Sequence, residues 1–185
     1  MPRNGIYILY EKGEQGHGGD RIVRIGTDTG ENQLRSRIFQ HFVNENKNRS
    51  IFRKNIGRAM LNKENSPYLT IWNYDPTIRA NKEKYKDVID KVFESKIEKQ
   101  ISKYMQENFY FVLLEVGGKN NRLRLEEKLI GTVSNCKLCK PSSTWLGSSS
   151  SISKIREGGL WQVQGLYTAG LAEKDLQEIE KCLVK

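Results

Sequence analysis

Sulfur and imidazole are scarce in this sequence. Its three cysteines, Cys136, Cys139 and Cys182, are an odd number without a disulfide-framework spacing. That excludes the cross-linked scaffold of a small secreted domain. Cys136-Lys137-Leu138-Cys139 has the C-x-x-C form of half a zinc site. A structural zinc site takes four ligands, however, and the histidines, His17 and His41, lie far away along the chain. Cys182 can add a third ligand, but nothing in the sequence demands it, so reduced thiols are the plain expectation. No apolar run reaches membrane-spanning length, which excludes a membrane-spanning helix. Met1-Pro2-Arg3-Asn4-Gly5 leads straight into strand-like sequence without a leader's apolar stretch. A cytosolic protein is expected.

What the sequence does contain is positive charge. Lys and Arg total 31 against 22 Asp and Glu, a net charge of +9 with a pI near 9.4. Such an excess favours polyanions, nucleic acid foremost, although a basic face is often merely solvated. The 185 residues suffice for one domain with a real core and not for two comfortable ones.

Periodicity divides the chain into elements. Gly5 to Glu11 and Arg21 to Thr27 read as strands joined by a glycine-rich loop, hence a β-hairpin. In the second strand Val23 and Ile25 are expected on one face and Arg24 on the other. Leu34, Ile38 and Phe42 recur every four residues and mark a helix, and Phe52, Ile56 and Met60 mark another from about Ser50 to Leu61. The second helix carries Arg53, Lys54 and Arg58, a candidate basic stripe. Pro67 and Pro76 bracket an irregular segment. One long helix is expected over residues 81–106, a buried strand from Phe109 to Val116, and a further helix from about Asn121 to Ser134. The serine-rich stretch from Pro141 to Ser153 reads as a surface loop around Trp145. A short extended piece from Leu160 to Gln164 and a C-terminal helix complete the chain.

Gly5-Ile6-Tyr7 and Arg24-Ile25-Gly26 sit on the paired strands, and a helix with Arg37 and His41 follows. In this order the chain resembles the GIY-YIG nuclease family. The first signature is intact; in the second, Arg24 replaces the family's tyrosine. Downstream, Leu125-Glu126-Glu127-Lys128-Leu129-Ile130 resembles the helix that carries the family's metal-binding glutamate. These parts together span about two thirds of the chain, from Gly5 to Ile130.

The resemblance implies roles for particular residues. Glu126 would bind one divalent ion, magnesium or manganese. On a helix it neighbours Arg122, Leu123, Leu129 and Ile130, so its carboxylate emerges beside a packed face; the alternative is an ion pair with Arg122. Tyr7 would orient or deprotonate the attacking water, though a phenol with a free pKa of about 10 needs help from metal or cations. A buried strand tyrosine with a bonded hydroxyl is the alternative. Arg37 aligns with the phosphate-binding arginine, with Arg35 as the fallback, and either can be a solvated helix arginine instead. His41 lies one turn after Arg37 and would relay a proton, unless it is structural. Arg24 supplies charge but not a base. The late asparagine common in the family is not secure: Asn135 comes early, and Thr144-Trp145-Leu146-Gly147 lacks one.

The expected architecture is an α/β (α+β) domain with a small central, mainly antiparallel sheet flanked by helices. Its core covers residues 5–62 and 107–135, with a helical insertion over 67–106 and a C-terminal loop and helix over 141–185. The expected activity is metal-dependent hydrolysis of DNA phosphodiester bonds. Arg35, Arg53, Lys54 and Arg58 would contact the DNA backbone. A restriction-type role would favour a homodimer on symmetric DNA. The rivals are a nucleic-acid-binding module that has lost turnover and a zinc-stabilised interaction protein.

Overall fold

The computed structural model describes residues 1–75 and 78–183, apart from the side chains of Lys82 and Leu183. Pro76, expected to bound an irregular segment, lies outside the described residues. A three-stranded antiparallel sheet of order β2-β1-β3 forms the centre, from β1 (Gly5–Gly16), β2 (Gly19–Thr27) and β3 (Phe109–Glu115). This is the small antiparallel sheet with flanking helices that the sequence predicts. Among the described residues no helix is long and apolar enough to cross a membrane.

The hairpin is tighter than expected. Both strands run through the glycine-rich stretch and leave only His17-Gly18 between them, at φ 52° and 78°. Two successive positive φ values match the twist of the flanking strands and turn the chain in two residues. The expected alternation on β2 also fails. A shift in register between the pairs Leu9↔Arg24 and Tyr10↔Ile22 makes a β-bulge. Val23 therefore packs with Tyr7 and Leu9, whereas Ile25 packs with Ile6 and Ile8 on the opposite face. The bulge also leaves the Val23 carbonyl to accept the backbone N–H of Trp161 at 2.8 Å.

Helices cover both faces of the sheet. On the Tyr7–Leu9 side lie α1 (Leu34–Phe42), α2 (Ile51–Lys63), the short α3 (Leu69–Trp72) and α5 (Lys91–Asn108), sharing a core around Phe52, Ile56, Trp72 and Ile101. The long helix expected over 81–106 is two: α4 (Arg79–Tyr85) and α5. Asp90 breaks it, because its Oδ1 accepts the Phe93 N–H at 2.9 Å and so starts a new helix. On the Ile6–Ile8 side, α6 (Lys119–Ser134) and α8 (Glu173–Leu183) cover Ile25, Leu114 and Val116. β3 lies at an edge with Tyr110 and Val112 exposed, so the dense apolar run is not a fully buried strand.

The serine-rich stretch is not a loose surface loop. It contains a 3₁₀ turn (Leu146–Ser149) against α2 and leads into α7 (Ser153–Gly158). Trp145 is buried, and both it and Trp161 donate their indole N–H to Glu11 Oε2 at 2.9 Å. The expected extended piece from Leu160 to Gln164 is a series of bends docked across β2.

Candidate active site

The site begins with the register of the hairpin. Tyr7 pairs with Gly26 and Leu9 with Arg24, so Tyr7, Arg24 and Gly26 share one face of the sheet. A Cβ on Gly26 would lie 2.2 Å from Tyr7 Oη. The glycine of the second motif therefore has a packing reason: any side chain displaces the tyrosine hydroxyl. Gly26→Ala is expected to cost about 1–3 kcal/mol in chemical denaturation, the range for overpacking a core. An unchanged denaturation midpoint would show that the tyrosine moves aside freely.

From Tyr7 a hydrogen-bond chain runs into α1 and α2. Tyr7 Oη lies 2.9 Å from His41 Nε2, and His41 Nδ1 lies 2.7 Å from Ser50 Oγ. Ser50 is the N-cap of α2, and its Oγ accepts the Arg53 N–H at 3.2 Å. The His41 tautomer with its proton on Nδ1 donates to Ser50 and leaves Nε2 to accept the Tyr7 hydroxyl. Burial first, then the charges of Arg24, Arg37 and Arg53, push His41 well below its ordinary pKa and hold the ring neutral. Sequence reasoning used Ser50 only as a helix boundary; its place in this chain depends on how α1 packs on α2.

The depressed His41 pKa has a consequence for stability. Below about pH 6.5 the unfolded chain takes up a proton at this imidazole that the folded chain refuses. Stability at His41 is therefore present above that pH and is lost as the pH falls toward the folded value. The midpoint of thermal unfolding should drop between neutral pH and pH ~5, and His41→Asn should flatten that slope. Parallel slopes in wild type and variant would exclude a buried neutral His41.

Glu126 lies on the other side of β2, on α6. Its Oε1 accepts the Thr27 backbone N–H at 3.1 Å, and it makes no ion pair among the described residues. Burial raises its pKa, opposed by Arg24, by the Thr27 N–H and by Arg37, while Asp28 adds to the rise. Arg122 is not its partner. It sits 3.7 Å from both Asp28 Oδ1 and Glu31 Oε1 and donates to the Gly30 carbonyl at 2.9 Å.

Asp28, which sequence reasoning missed, is the more unusual carboxylate. It is buried, and neither of its oxygens has a hydrogen-bond partner. Burial raises its pKa against the pull of Arg122. A carboxylate two residues after Gly26, where β2 ends, was the available signal. Glu126 and Asp28 are hard oxygen donors of the kind that hold a divalent ion, and Asp28 has only its 3.7 Å ion pair with Arg122 to oppose that use.

The cations are arranged around this pair. Arg37 is partly exposed and lines a cavity of about 190 Å³ with Thr27, Asp28 and Gln40. Its Nη1 has only long contacts, 3.4 Å each, to Gln40 Oε1 and the Arg49 carbonyl. Arg24 stacks 4.9 Å over the Phe52 ring and donates from Nη1 to the Trp161 carbonyl, with its buried Nε left without a partner. It also lines a larger groove of about 480 Å³ of mixed character, with Ile51, Ile152 and Val163 beside Asn55, Arg58 and Gln162. Arg35 is exposed on α1.

The basic stripe expected on α2 is largely internal. Arg53 is fully buried and forked onto Glu98, with Nε and Nη2 at 2.8 and 2.6 Å from Oε2. Its Nη1 donates to the His41 carbonyl at 2.9 Å. Lys54 is buried too, donating to the Tyr74 carbonyl at 3.0 Å, and burial together with Arg58 pushes its amine down to about 8. Neither presents its charge to a phosphate on the surface, because α2 is packed between the 3₁₀ turn, α3 and α5, and both cations are held by partners there. Arg58 is partly exposed, holding Asn73 and Asn55 at 2.6 Å. Asn135 is spent on carbonyls of Gly131 and Thr168 near the end of α6.

A family model described as a GIY-YIG domain matches residues 1–183. No curated protein and no solved structure gives a match.

Proposed function

Because this chain belongs to the GIY-YIG nuclease superfamily, we propose that it is a divalent-metal-dependent DNA endonuclease. The observation that carries this reading is the Tyr7–His41–Ser50 hydrogen-bond chain beside Arg24, Arg37 and Glu126. A proton acceptor and a carboxylate, each under the influence of the same two guanidinium groups, are the group types that phosphodiester hydrolysis uses.

In this reading Glu126 and Asp28 hold one magnesium or manganese ion, which when bound polarises the phosphate and stabilises the departing oxygen. Tyr7 orients the attacking water. Neutral His41 accepts the proton through the Tyr7 hydroxyl, with Ser50 keeping the imidazole in the tautomer that does so. Arg37 is the cation best placed to grip a phosphate, since its protein contacts are long and it faces an open cavity. Arg24 stays charged and acts on the developing negative charge, in place of the second hydroxyl that the family resemblance would supply. Arg35 and Arg58 are the surface contacts to the DNA backbone, and a strand would lie along the groove of Arg24, Asn55 and Gln162. The homodimer expectation has no observation behind it.

The test is cleavage of supercoiled plasmid with magnesium or manganese, with and without chelator, beside Tyr7→Phe. Metal-dependent nicking or linearisation that Tyr7→Phe suppresses supports the reading. Salt-sensitive binding without cutting across several plasmids would leave the binding module that has lost turnover.

A further inference from the structure

A second group of metal-ligating side chains lies apart from Glu126, at the tip of the β1–β2 hairpin. His17 Nε2 is 3.2 Å from Cys136 Sγ, although 119 positions separate the two residues in sequence. The ligand atoms of His17, Cys136 and Cys139 all lie within 4.8 Å of one another. The C-x-x-C pair thus gains the histidine that sequence distance had seemed to deny it. Cys182 is elsewhere, donating to the Glu178 carbonyl on α8.

Local backbone is arranged for this meeting. His17 takes φ 52° in the two-residue turn, where asparagine, aspartate or glycine is usual. Gly16 lies so close to Cys139 that a Cβ there would be 2.9 Å from Sγ. The strand end therefore approaches the sulfur only because it is glycine.

We propose that His17, Cys136 and Cys139 bind one zinc ion, which clamps the hairpin tip to the segment following α6. Two thiolates and an imidazole suit a borderline-soft ion, whereas magnesium and manganese prefer the oxygens of Glu126 and Asp28. Tetrahedral zinc with Zn–S of about 2.3 Å and Zn–N of about 2.0 Å separates sulfur from sulfur by about 3.8 Å and sulfur from nitrogen by about 3.5 Å. The His17–Cys136 separation of 3.2 Å is close to the sulfur–nitrogen value, and all three ligand atoms lie within 4.8 Å of one another. Each cysteine thiol releases its proton to solvent as the Zn–S bond forms, and the two thiolate charges offset that of the ion. Three protein ligands leave the fourth position to water, so the site is of the open type and not the closed four-ligand type.

The experiment uses the full chain purified without chelator. Metal analysis should find one zinc per chain. After stripping, titration with cobalt(II) should produce an intense thiolate-to-cobalt absorption that saturates at one equivalent and is abolished by added zinc. The Cys136→Ser, Cys139→Ser double variant should lose both zinc and absorption. His17→Ala should keep the absorption and lose at least tenfold in affinity, and Glu126→Gln should retain its zinc. Substoichiometric zinc together with no cobalt absorption from the stripped wild type overturns the proposal, and that measurement depends on no variant's folding. So do unchanged affinity in His17→Ala, loss of zinc in Glu126→Gln, and a fresh preparation lacking two hydrogens through a Cys136–Cys139 disulfide.

Discussion

Replacing Glu126 with glutamine should lower the initial rate of plasmid cleavage about 10³-fold or more without weakening the fold. The two effects separate because charge and shape separate at this position. The amide keeps the oxygen that accepts the Thr27 N–H, so the link between α6 and β2 survives. What disappears is the negative charge, the property a magnesium or manganese ion needs and an amide supplies poorly. Loss of one preorganised electrostatic element in an active site costs about 10²–10³ in rate, and loss of a principal metal ligand lies at or beyond the upper end. Stability follows a different rule. Burial already opposes ionisation of Glu126, so a neutral isostere relieves that penalty, and the denaturation midpoint should shift by less than about 1 kcal/mol equivalent. Asp28→Asn should reduce the rate as well, and manganese should rescue part of the loss in either variant. Equal cutting by wild type and Glu126→Gln would remove Glu126 from the chemistry.

Much of this arrangement was legible in the residues. Alternation along Gly5 to Glu11 and the four-residue spacing of Leu34, Ile38 and Phe42 are local signals, and both yield the elements they imply. Of the residues singled out by their order, Tyr7 meets His41 through a hydrogen bond, and Arg24 and Arg37 act electrostatically on both His41 and Glu126. The glycine of Arg24-Ile25-Gly26 was readable as a motif letter; its contact with Tyr7 Oη needed the strand register.

What stayed hidden depends on packing between distant segments. A basic residue on a helix reads as surface unless a buried acid is known to face it, and Glu98 lies 45 positions from Arg53. Asp28 carries no signal of its own in the sequence, because its burial without hydrogen-bond donors, 3.7 Å from Arg122, arises only when α6 packs on the end of β2. The β-bulge that sends Val23 and Ile25 to opposite faces breaks the period-two rule from within. The serine-rich stretch reads as a loop by composition, yet the carboxylate of Glu11 draws in the two indoles that anchor its region.

Arg53→Ala should cost about 3–5 kcal/mol of folding stability, the range for removing one partner of a buried ion pair. Against a typical total of about 5–15 kcal/mol for a domain, the variant would fold poorly. Arg53 donates to the Glu98 carboxylate and carbonyl, to Ser102 Oγ at 3.0 Å and to the His41 carbonyl. Truncation leaves the Glu98 charge buried beside the Lys47 N–H alone on its Oε1 side. Burial raises the Glu98 pKa even with Arg53 and Lys47 present, so the carboxylate is already costly to keep ionised. Arg53→Lys should recover only part of the loss, because an ammonium cannot fork onto the carboxylate and reach His41 together. Arg53→Met combined with Glu98→Leu should be more stable than Arg53→Ala, since it removes the charge along with its partner. Denaturant midpoints decide among these outcomes, and DNA binding offers a separate check. If Arg53→Ala folds with a loss under ~1 kcal/mol while its salt slope of DNA binding falls by about one, Arg53 is a phosphate contact after all. The buried fork requires the opposite pattern, in which stability falls and the salt slope of the folded fraction stays the same.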